Sequence, residues 1–337
     1  MFLDVVLLII SLGVILAGAE FFTNGIEWLG KKLNLTEGAV GSILAAVGTA
    51  LPETMIPIIA ILFGTGEASE EIGIGAILGA PFMLSTLAFC ITGIAVVVYR
   101  GRRPNYPKMN LDTRVMGRDL SFFLLVYAVA VLASFLGNHI LKVIFAIGLV
   151  IAYFVYAYLT VTNGHAIGEE EGEELHPLYL ARKAKDPHLI LVLIQSVGAL
   201  ALIIGGARLF VNGVEDLSVL LGVPAFVLAL IIAPIATELP EKFNSIIWVG
   251  RGKDTLALGN ITGAMVFQSS LLPALGIVMT SWELTLGALI SAVLAILSAG
   301  LVYFQIYRKK YLTPYILLGG GAFYSVFLIL VFGGVIR

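Results

Sequence analysis

The chain has 337 residues, of which 59% are hydrophobic and only 12% are charged, and its mean hydropathy is +1.01. Soluble globular domains carry about 25% charged residues, so this composition excludes a water-soluble fold. The formal net charge of −2 identifies no partner by itself. The single cysteine, Cys90, cannot form a disulfide within the chain.

Apolar runs of roughly 20 residues, the length that crosses a bilayer as a helix, recur along the chain. The alternation typical of a membrane β-barrel strand does not occur in the sequence. The first run carries Asp4 and has neither a basic start nor a clean cleavage site, so we predict a retained helix and not a signal peptide. We predict ten spans, numbered 1 to 10, at approximately residues 3–23, 38–63, 72–99, 119–137, 139–161, 188–211, 224–249, 257–280, 283–307 and 312–335. The expected fold class is an all-α polytopic membrane protein.

Most of the lysines and arginines fall in the loops that follow odd-numbered spans. They include Arg100, Arg102 and Arg103 after span 3, and Arg251 and Lys253 after span 7. By the positive-inside rule these loops are cytoplasmic, which predicts a multi-pass protein of the cell membrane with both termini extracytoplasmic. The longest polar stretch, residues 162–187, is predicted to be a solvated cytoplasmic linker.

The two halves of the chain repeat one another with a shift of 188 residues. The shift superimposes Asn24, Gly25 and Glu27 on Asn212, Gly213 and Glu215, and Thr49, Leu51, Pro52 and Glu53 on Thr237, Leu239, Pro240 and Glu241. Since each half has five spans, an odd number, the second half enters the membrane upside down. We therefore predict an inverted repeat at 1–161, the linker at 162–187 and a second repeat at 188–337, an organisation typical of secondary transporters.

The duplicated segments place a proline and a glutamate in the middle of spans 2 and 7. Pro52 and Pro240 each remove a backbone donor, which predicts a broken or kinked helix with exposed carbonyl oxygens. Inserting a carboxylate at the centre of the bilayer costs a free energy of at least about 2.5–3.5 kcal/mol. Glu53 and Glu241 are therefore expected to be functional.

Oxygen atoms surround these two carboxylates in the sequence. Thr49 and Thr237 can add hydroxyl or carbonyl oxygens. Such a donor set suits hard cations such as Ca²⁺ or Na⁺, whereas the lack of clustered Cys or His argues against zinc or copper. We predict a cation-binding site built from these four residues.

These motifs resemble those of the calcium/cation antiporter superfamily, which includes the Na⁺/Ca²⁺ exchangers. The resemblance covers the ten spans, the Pro-Glu motif of both repeats, and the glycine-rich segments 75–81 and 259–265 of spans 3 and 8. It implies an ion-binding core formed by spans 2, 3, 7 and 8, past which spans 1 and 6 slide during alternating access.

The chain departs from the family pattern inside these motifs. The motif serine is replaced by Ala50 and Glu238, and the Asn or Asp expected in spans 3 and 8 is replaced by Pro81 and Met265. A site that has lost neutral oxygens in this way binds fewer ions or uses protons as the counter-substrate.

Glu238 has two alternative roles. It is a third cation ligand, or it forms a helical i,i+4 pair with Lys242, whose ammonium would then occupy the place of a cation. Gln268 in span 8 is interpreted as a polar contact between helices or as an ion ligand, and Gln195 in span 6 as structural.

The sequence therefore predicts a secondary antiporter that exchanges Ca²⁺ for Na⁺, with a cation/H⁺ antiporter as the alternative. An intramembrane enzyme ranks third, because the histidines His139, His165, His176 and His188 lie at span ends or in loops. A nucleotide-binding loop is absent from the sequence. The expected partners are inorganic cations and the lipid bilayer, with neither a cofactor nor a nucleic acid.

Overall fold

The computed structural model describes residues 2–33, 45–64, 67–162, 176–184 and 186–336, without the side chains of residues 2–3, 45–49, 67, 161 and 239–244. These residues form eleven α-helices, which are numbered in chain order. They are α1 (Phe2–Lys32), α2 (Ala45–Phe63), α3 (Glu67–Met83), α4 (Phe89–Val98), α5 (Thr113–Ala133), α6 (His139–Thr162), α7 (Leu189–Leu221), α8 (Ala225–Gly250), α9 (Asp254–Met279), α10 (Leu286–Lys309) and α11 (Pro314–Phe332).

The helices match the ten predicted spans in order. Within the described residues eight helical segments are long and apolar enough to cross a membrane, and α3 with α4 forms one of them, Ala68–Arg102. Two shorter apolar helices, Ala50–Phe63 and Ala225–Glu238, correspond to spans 2 and 7. The fold is therefore that of an all-helical, polytopic membrane protein.

Two spans are longer than the hydropathy predicted. Helix α1 has 31 residues and α7 has 33, and each continues about ten residues beyond its predicted end. The extra turns carry polar residues such as Asn24 and Glu215, which lower the hydropathy but leave the backbone hydrogen bonds of the helix intact.

The helices divide into two compact units, residues 1–69 with 168–222 and residues 70–167 with 223–337. Each unit contains segments of both sequence halves, so the units are not the repeats. The inverted repeat remains a prediction from the sequence, because compactness and duplication are separate properties.

In the first unit, α1 and α7 pack closely along their lengths through glycines. A Cβ atom on Gly18 would lie 2.8 Å from Ile203 Cγ1, and one on Gly206 would lie 2.8 Å from Ile15 Cγ1. Helix α2 packs against both α1 and α7. Small residues permit this close approach in lipid, where helix association depends on van der Waals contact.

The end of the linker, residues 176–184, is attached to α1 and α7 through the side-chain amides of Asn24 and Gln195. Gln195 Nε2 donates to Asn24 Oδ1 and to the Phe21 carbonyl, both at 2.9 Å, and Gln195 Oε1 accepts from Leu180 N–H at 3.0 Å. Trp28 Nε1 donates to the His176 carbonyl at 2.8 Å. The interpretation of Gln195 as structural agrees with these contacts.

In the second unit, the third span and α9 form the interior. In the most apolar 18-residue stretch of each helix, 67% of the residues are buried in α9 and 61% in the third span. The corresponding shares are only 22% in α6 and 28% in α11. Helices α5 and α6 pack on α9, and α11 packs on α4. The outer helices therefore present apolar side chains to the lipid.

Spans 2 and 7 were predicted to be broken or kinked at the duplicated motifs; the structure shows no break there, and a kink stays a prediction. Within the described residues the irregular helical backbone lies in span 3. Helix α2 continues through Pro52 and Pro57, and α8 continues through Pro240, so the structure shows no break at the duplicated motifs. Instead, a π-helical turn, Leu84–Ala88, separates α3 from α4 just after Pro81.

Hydroxyl groups satisfy carbonyls around this π-helical turn. Ser85 Oγ donates to the Pro81 carbonyl at 2.8 Å, and Ser298 Oγ of α10 donates to the Ser85 carbonyl at 2.5 Å. A π-helical turn changes the register of a helix by one residue, and its freed carbonyls need partners. Ser298 supplies one from a neighbouring helix.

Candidate cation site

The candidate site in the second unit is a buried carboxylate on α8. Glu238 is only 1% exposed and the adjacent Thr237 is 5% exposed. Gln268 of α9 is fully buried and donates its side-chain amide to Glu238 Oε1. The two helices thus place a carboxylate and an amide in contact inside an apolar unit.

Further oxygen atoms lie on α9 beside this contact. Gln268 Oε1 is buried and accepts no hydrogen bond from any described residue. Ser269 and Ser270 are fully buried, and their hydroxyls donate to the Val266 carbonyl. Because Pro273 has no N–H, the Ser269 carbonyl also lacks its usual helical donor. This segment of α9 is rich in the oxygen ligands that hard cations prefer.

The threonine of the second motif points its hydroxyl into its own helix. Thr237 Oγ1 donates to the Ala233 carbonyl at 3.0 Å, a bond that leaves its lone pairs available. Met265, which stands where a polar residue was expected, is fully buried one turn before Gln268. It therefore adds apolar volume and no ligand to this part of α9.

Helix α8 is held against α3 by glycines. A Cβ atom on Gly75 would lie 2.5 Å from the Phe226 carbonyl, and one on Gly79 would lie 2.8 Å from Pro234 Cγ. The Leu230 carbonyl, which Pro234 leaves without its helical donor, also faces Gly79. The glycine-rich segment 75–81 thus sets the position of the helix that carries Glu238, and Pro81 is buried at its end.

The carboxylate of the first motif lies in the other unit. Glu53 is half-buried on α2, and Pro52 beside it is buried. Thr54 Oγ1 donates to the Ala50 carbonyl at 2.6 Å, so that this carbonyl is already engaged. Ala50 itself offers only a methyl group where the resemblance led us to expect a hydroxyl.

The predictions for four residues fall on side chains that the structure does not describe: Thr49, Pro240, Glu241 and Lys242. The pairing of Lys242 with Glu238 therefore stays a prediction. Among the residues that are described, no three His, Cys, Asp or Glu lie close enough together to hold a metal ion.

Two further buried carboxylates were not identified from the sequence, and each accepts at least three hydrogen bonds. Asp119 of α5 accepts from Thr262 of α9 at 2.8 Å, from Tyr156 of α6 at 3.1 Å and from Arg118 at 3.1 Å. These bonds join three helices, which indicates a structural role. The only sequence signal is an acid near the start of an apolar span.

The second of these carboxylates, Asp254, lies at the start of α9. Arg103 donates two hydrogen bonds of 2.7 Å to it, and Asn110 N–H donates a third at 2.8 Å. The Asp254 side chain is 0% exposed and the Arg103 side chain is 8% exposed. A bidentate pair of this kind fixes the loop after span 3 to the helix that carries Gln268.

The fold and the buried polar residues define an all-helical, polytopic membrane protein with a carboxylate inside its helical core. The chain belongs to the sodium/calcium exchanger protein family, whose model matches residues 3–162 and 191–334. The match covers both predicted repeats and omits most of the linker.

Individual relatives are distant but extend over most of the chain. An uncharacterized membrane protein of Methanocaldococcus jannaschii is 26% identical over 300 residues, which cover 88% of this chain and 89% of the relative. A crystal structure of the H⁺/Ca²⁺ exchanger CAX is 16% identical, with a TM-score of 0.73 over 98% of this chain and 82% of that one. A structure of the sodium-calcium exchanger NCX_Mj is 20% identical, with a TM-score of 0.56 over 97% of this chain and 98% of that one. At sequence identities of 16% and 20%, these structural similarities show that the fold is shared, and they show no more than that.

Proposed function

We propose that the chain is a secondary active antiporter that carries Ca²⁺ or a related hard cation across the membrane in exchange for a monovalent cation. The observation that carries this proposal is the buried contact between Glu238 and Gln268, where, unlike at Asp119, a buried carboxylate lies beside a buried oxygen that accepts no hydrogen bond from a described residue. Membership of the sodium/calcium exchanger family supports the same function. An enzymatic role has no comparable support.

The ligands that we propose for the transported cation come from the duplicated motifs and from α9. They are Glu53 and Glu241, with Thr49 and Thr237 as hydroxyl or carbonyl donors and with Glu238 as a third carboxylate. Gln268 Oε1 is added to this set because it is a buried oxygen without a described donor. Oxygen ligands that include several carboxylates suit Ca²⁺.

Sodium is the first candidate for the counter-ion, and protons are the second. The family description and the solved sodium-calcium exchanger favour Na⁺. Two observations favour H⁺: Ala50 brings no hydroxyl oxygen for Na⁺, and the buried Glu238 is a carboxylate that could carry a proton. The solved H⁺/Ca²⁺ exchanger with the same fold shows that this fold accommodates proton coupling in another protein.

The test is ⁴⁵Ca²⁺ uptake into proteoliposomes that contain the full chain, driven in parallel by an outward Na⁺ gradient and by an outward H⁺ gradient. Uptake driven by the Na⁺ gradient supports the first candidate, and uptake driven only by the H⁺ gradient supports the second. Failure of both gradients with Ca²⁺, Sr²⁺ and Mn²⁺ as cargo would contradict the proposal.

The site is tested with carboxylate-to-amide variants. Glu53→Gln, Glu238→Gln and Glu241→Gln are expected to lower the uptake rate at least about tenfold, because each removes a charge that the cation needs within the membrane. Glu283→Gln is the matched control, since Glu283 is exposed in the loop after α9. A normal rate in the three site variants would overturn the assignment of the ligands.

A further inference from the structure

A cavity opens between α5 and α10 at the end where α5 begins and α10 terminates. It has a volume of about 310 Å³ and is lined by residues of these two helices. Thr113, Arg114 and Gly117 contribute from the first turns of α5, Tyr303 and Tyr307 contribute from the last turns of α10, and Lys310 contributes from the position just after α10. Both helices are candidate membrane spans, so their ends place the cavity at the depth of the lipid headgroups.

The cavity combines two cations with hydroxyl donors. Arg114 and Lys310 are both exposed. None of the described residues that line the cavity is acidic. The nearest carboxylate in sequence, Asp112, caps α5 and accepts the Arg114 backbone N–H at 2.8 Å. The charge of the cavity therefore suits an anion that accepts hydrogen bonds from Arg, Lys, Thr and Tyr.

Lys310 is held over the cavity by an uncommon backbone conformation. It follows the last residue of α10 with φ of 57°, a left-handed conformation in which helices usually place glycine. Its N–H donates to the Ile306 carbonyl at 2.9 Å, and its Nζ lies 5.2 Å from the centre of the Tyr307 ring. The ammonium group is thereby kept beside the aromatic wall of the cavity.

The other side of the cavity is apolar and open. Apart from its chain neighbours and the backbone of α5 itself, no described atom lies within 4 Å of the position of a Cβ atom on Gly117, so a gap is left on the surface of α5. Among the residues that line the cavity, Ile306 of α10 adds an apolar side chain, and the rings of Tyr303 and Tyr307 add aromatic surface. A free inorganic anion would use only the cationic end, whereas a molecule with a phosphate and a hydrocarbon chain would use both.

We propose that this cavity binds an anionic glycerophospholipid, with its phosphate between Arg114 and Lys310 and an acyl chain in the gap at Gly117. Basic pockets between membrane helices at the headgroup level recognise anionic lipids in this way. The positive-inside distribution of charge assigns the lipid to the cytoplasmic leaflet. This inference is independent of the identity of the transported ions.

The test is native mass spectrometry of the full-length protein in detergent, with dioleoyl phosphatidylglycerol and dioleoyl phosphatidylcholine added in turn. The wild-type protein is expected to retain phosphatidylglycerol in preference to phosphatidylcholine. Arg114→Gln with Lys310→Gln should weaken phosphatidylglycerol retention about tenfold or more, because two charge-assisted contacts are lost. Gly117→Leu should weaken it as well, although the charge is unchanged.

The matched control is Arg308→Gln with Lys309→Gln, which removes two exposed cations from the last turn of α10 outside the cavity. The control should keep the lipid preference. Equal loss in the control, or full retention in the Gly117→Leu variant, would overturn the proposal. Displacement of the lipid by an equal concentration of inorganic phosphate would also overturn it in favour of a simple anion site. If the double variant fails to fold, the single variants and Gly117→Leu decide the outcome.

Discussion

Gln268 of α9 donates its side-chain amide to the carboxylate of Glu238 on α8, and both side chains are buried in the helical core. The two residues are 30 positions apart in the sequence, on neighbouring spans. The resemblance of the motif led us to expect a hydroxyl at position 238; a carboxylate stands there instead, and the glutamine donates a hydrogen bond to it. The contact couples the helix of the second motif to the oxygen-rich segment of α9.

The energy of this contact can be measured in a double-mutant cycle. Gln268→Leu removes the donor at nearly constant volume, and we expect the free energy of unfolding to fall by about 1–3 kcal/mol, because a buried carboxyl group loses a hydrogen bond. The measurement is unfolding of the purified protein in detergent. Glu238→Leu combined with Gln268→Leu should be more stable than the sum of the single changes predicts. Additive effects would mean that the bond contributes no stability.

A second prediction concerns the approach of α3 to α8. Gly75→Ala would bring a Cβ atom to 2.5 Å from the Phe226 carbonyl, so the helices must separate. We expect a loss of about 1–3 kcal/mol, the usual cost of overpacking. Gly148→Ala on α6 is the control, because no described atom outside the helix's own backbone and chain neighbours lies within 4 Å of the added Cβ position, and it should be neutral or slightly stabilising. A thermal unfolding midpoint that fell equally in both variants would contradict the close packing.

A third prediction concerns the ion pair between Arg103 and Asp254. Arg103→Leu leaves Asp254 buried with one backbone donor, and we expect a loss of about 3–5 kcal/mol. Arg100→Leu, a change at an exposed position three residues earlier, should alter the unfolding midpoint little. Arg103→Leu with Asp254→Leu should recover part of the loss, since no unpaired charge then remains. If the double variant were as unstable as Arg103→Leu, loss of the guanidinium packing would explain the effect.

A fourth prediction concerns the end of the linker. Gln195→Leu removes three hydrogen bonds that join Phe21, Asn24 and Leu180. We expect faster amide hydrogen exchange in residues 176–184, because the segment loses its attachment to α1 and α7. Ser196→Ala is the control, since among the described residues the Ser196 hydroxyl donates only to the Val192 carbonyl within α7. Unchanged exchange in Gln195→Leu would show that Trp28 and Asn24 hold the segment without it.

The sequence by itself determined the class of protein and the order of its helices. Apolar length predicts a span reliably because a backbone in lipid must satisfy its hydrogen bonds within the helix. The duplicated Pro-Glu motifs also indicate the family, because residue identity at fixed spacing can be compared without coordinates. The function and ligands of Glu53 and Glu241 stay predictions, for they depend on an ion and on side chains outside the described part of the chain.

The tertiary structure decided which polar residues meet. The extra turns of α1 and α7, the π-helical turn after Pro81 and the partner of Glu238 had no signal in local hydropathy. Two of these features depend on a group that is distant in sequence: Ser298 supplies a donor to the π-helical turn, and Gln268 supplies one to Glu238. Hydropathy reports the transfer of single residues into lipid, whereas a buried hydrogen bond is made only when two helices pack in one register.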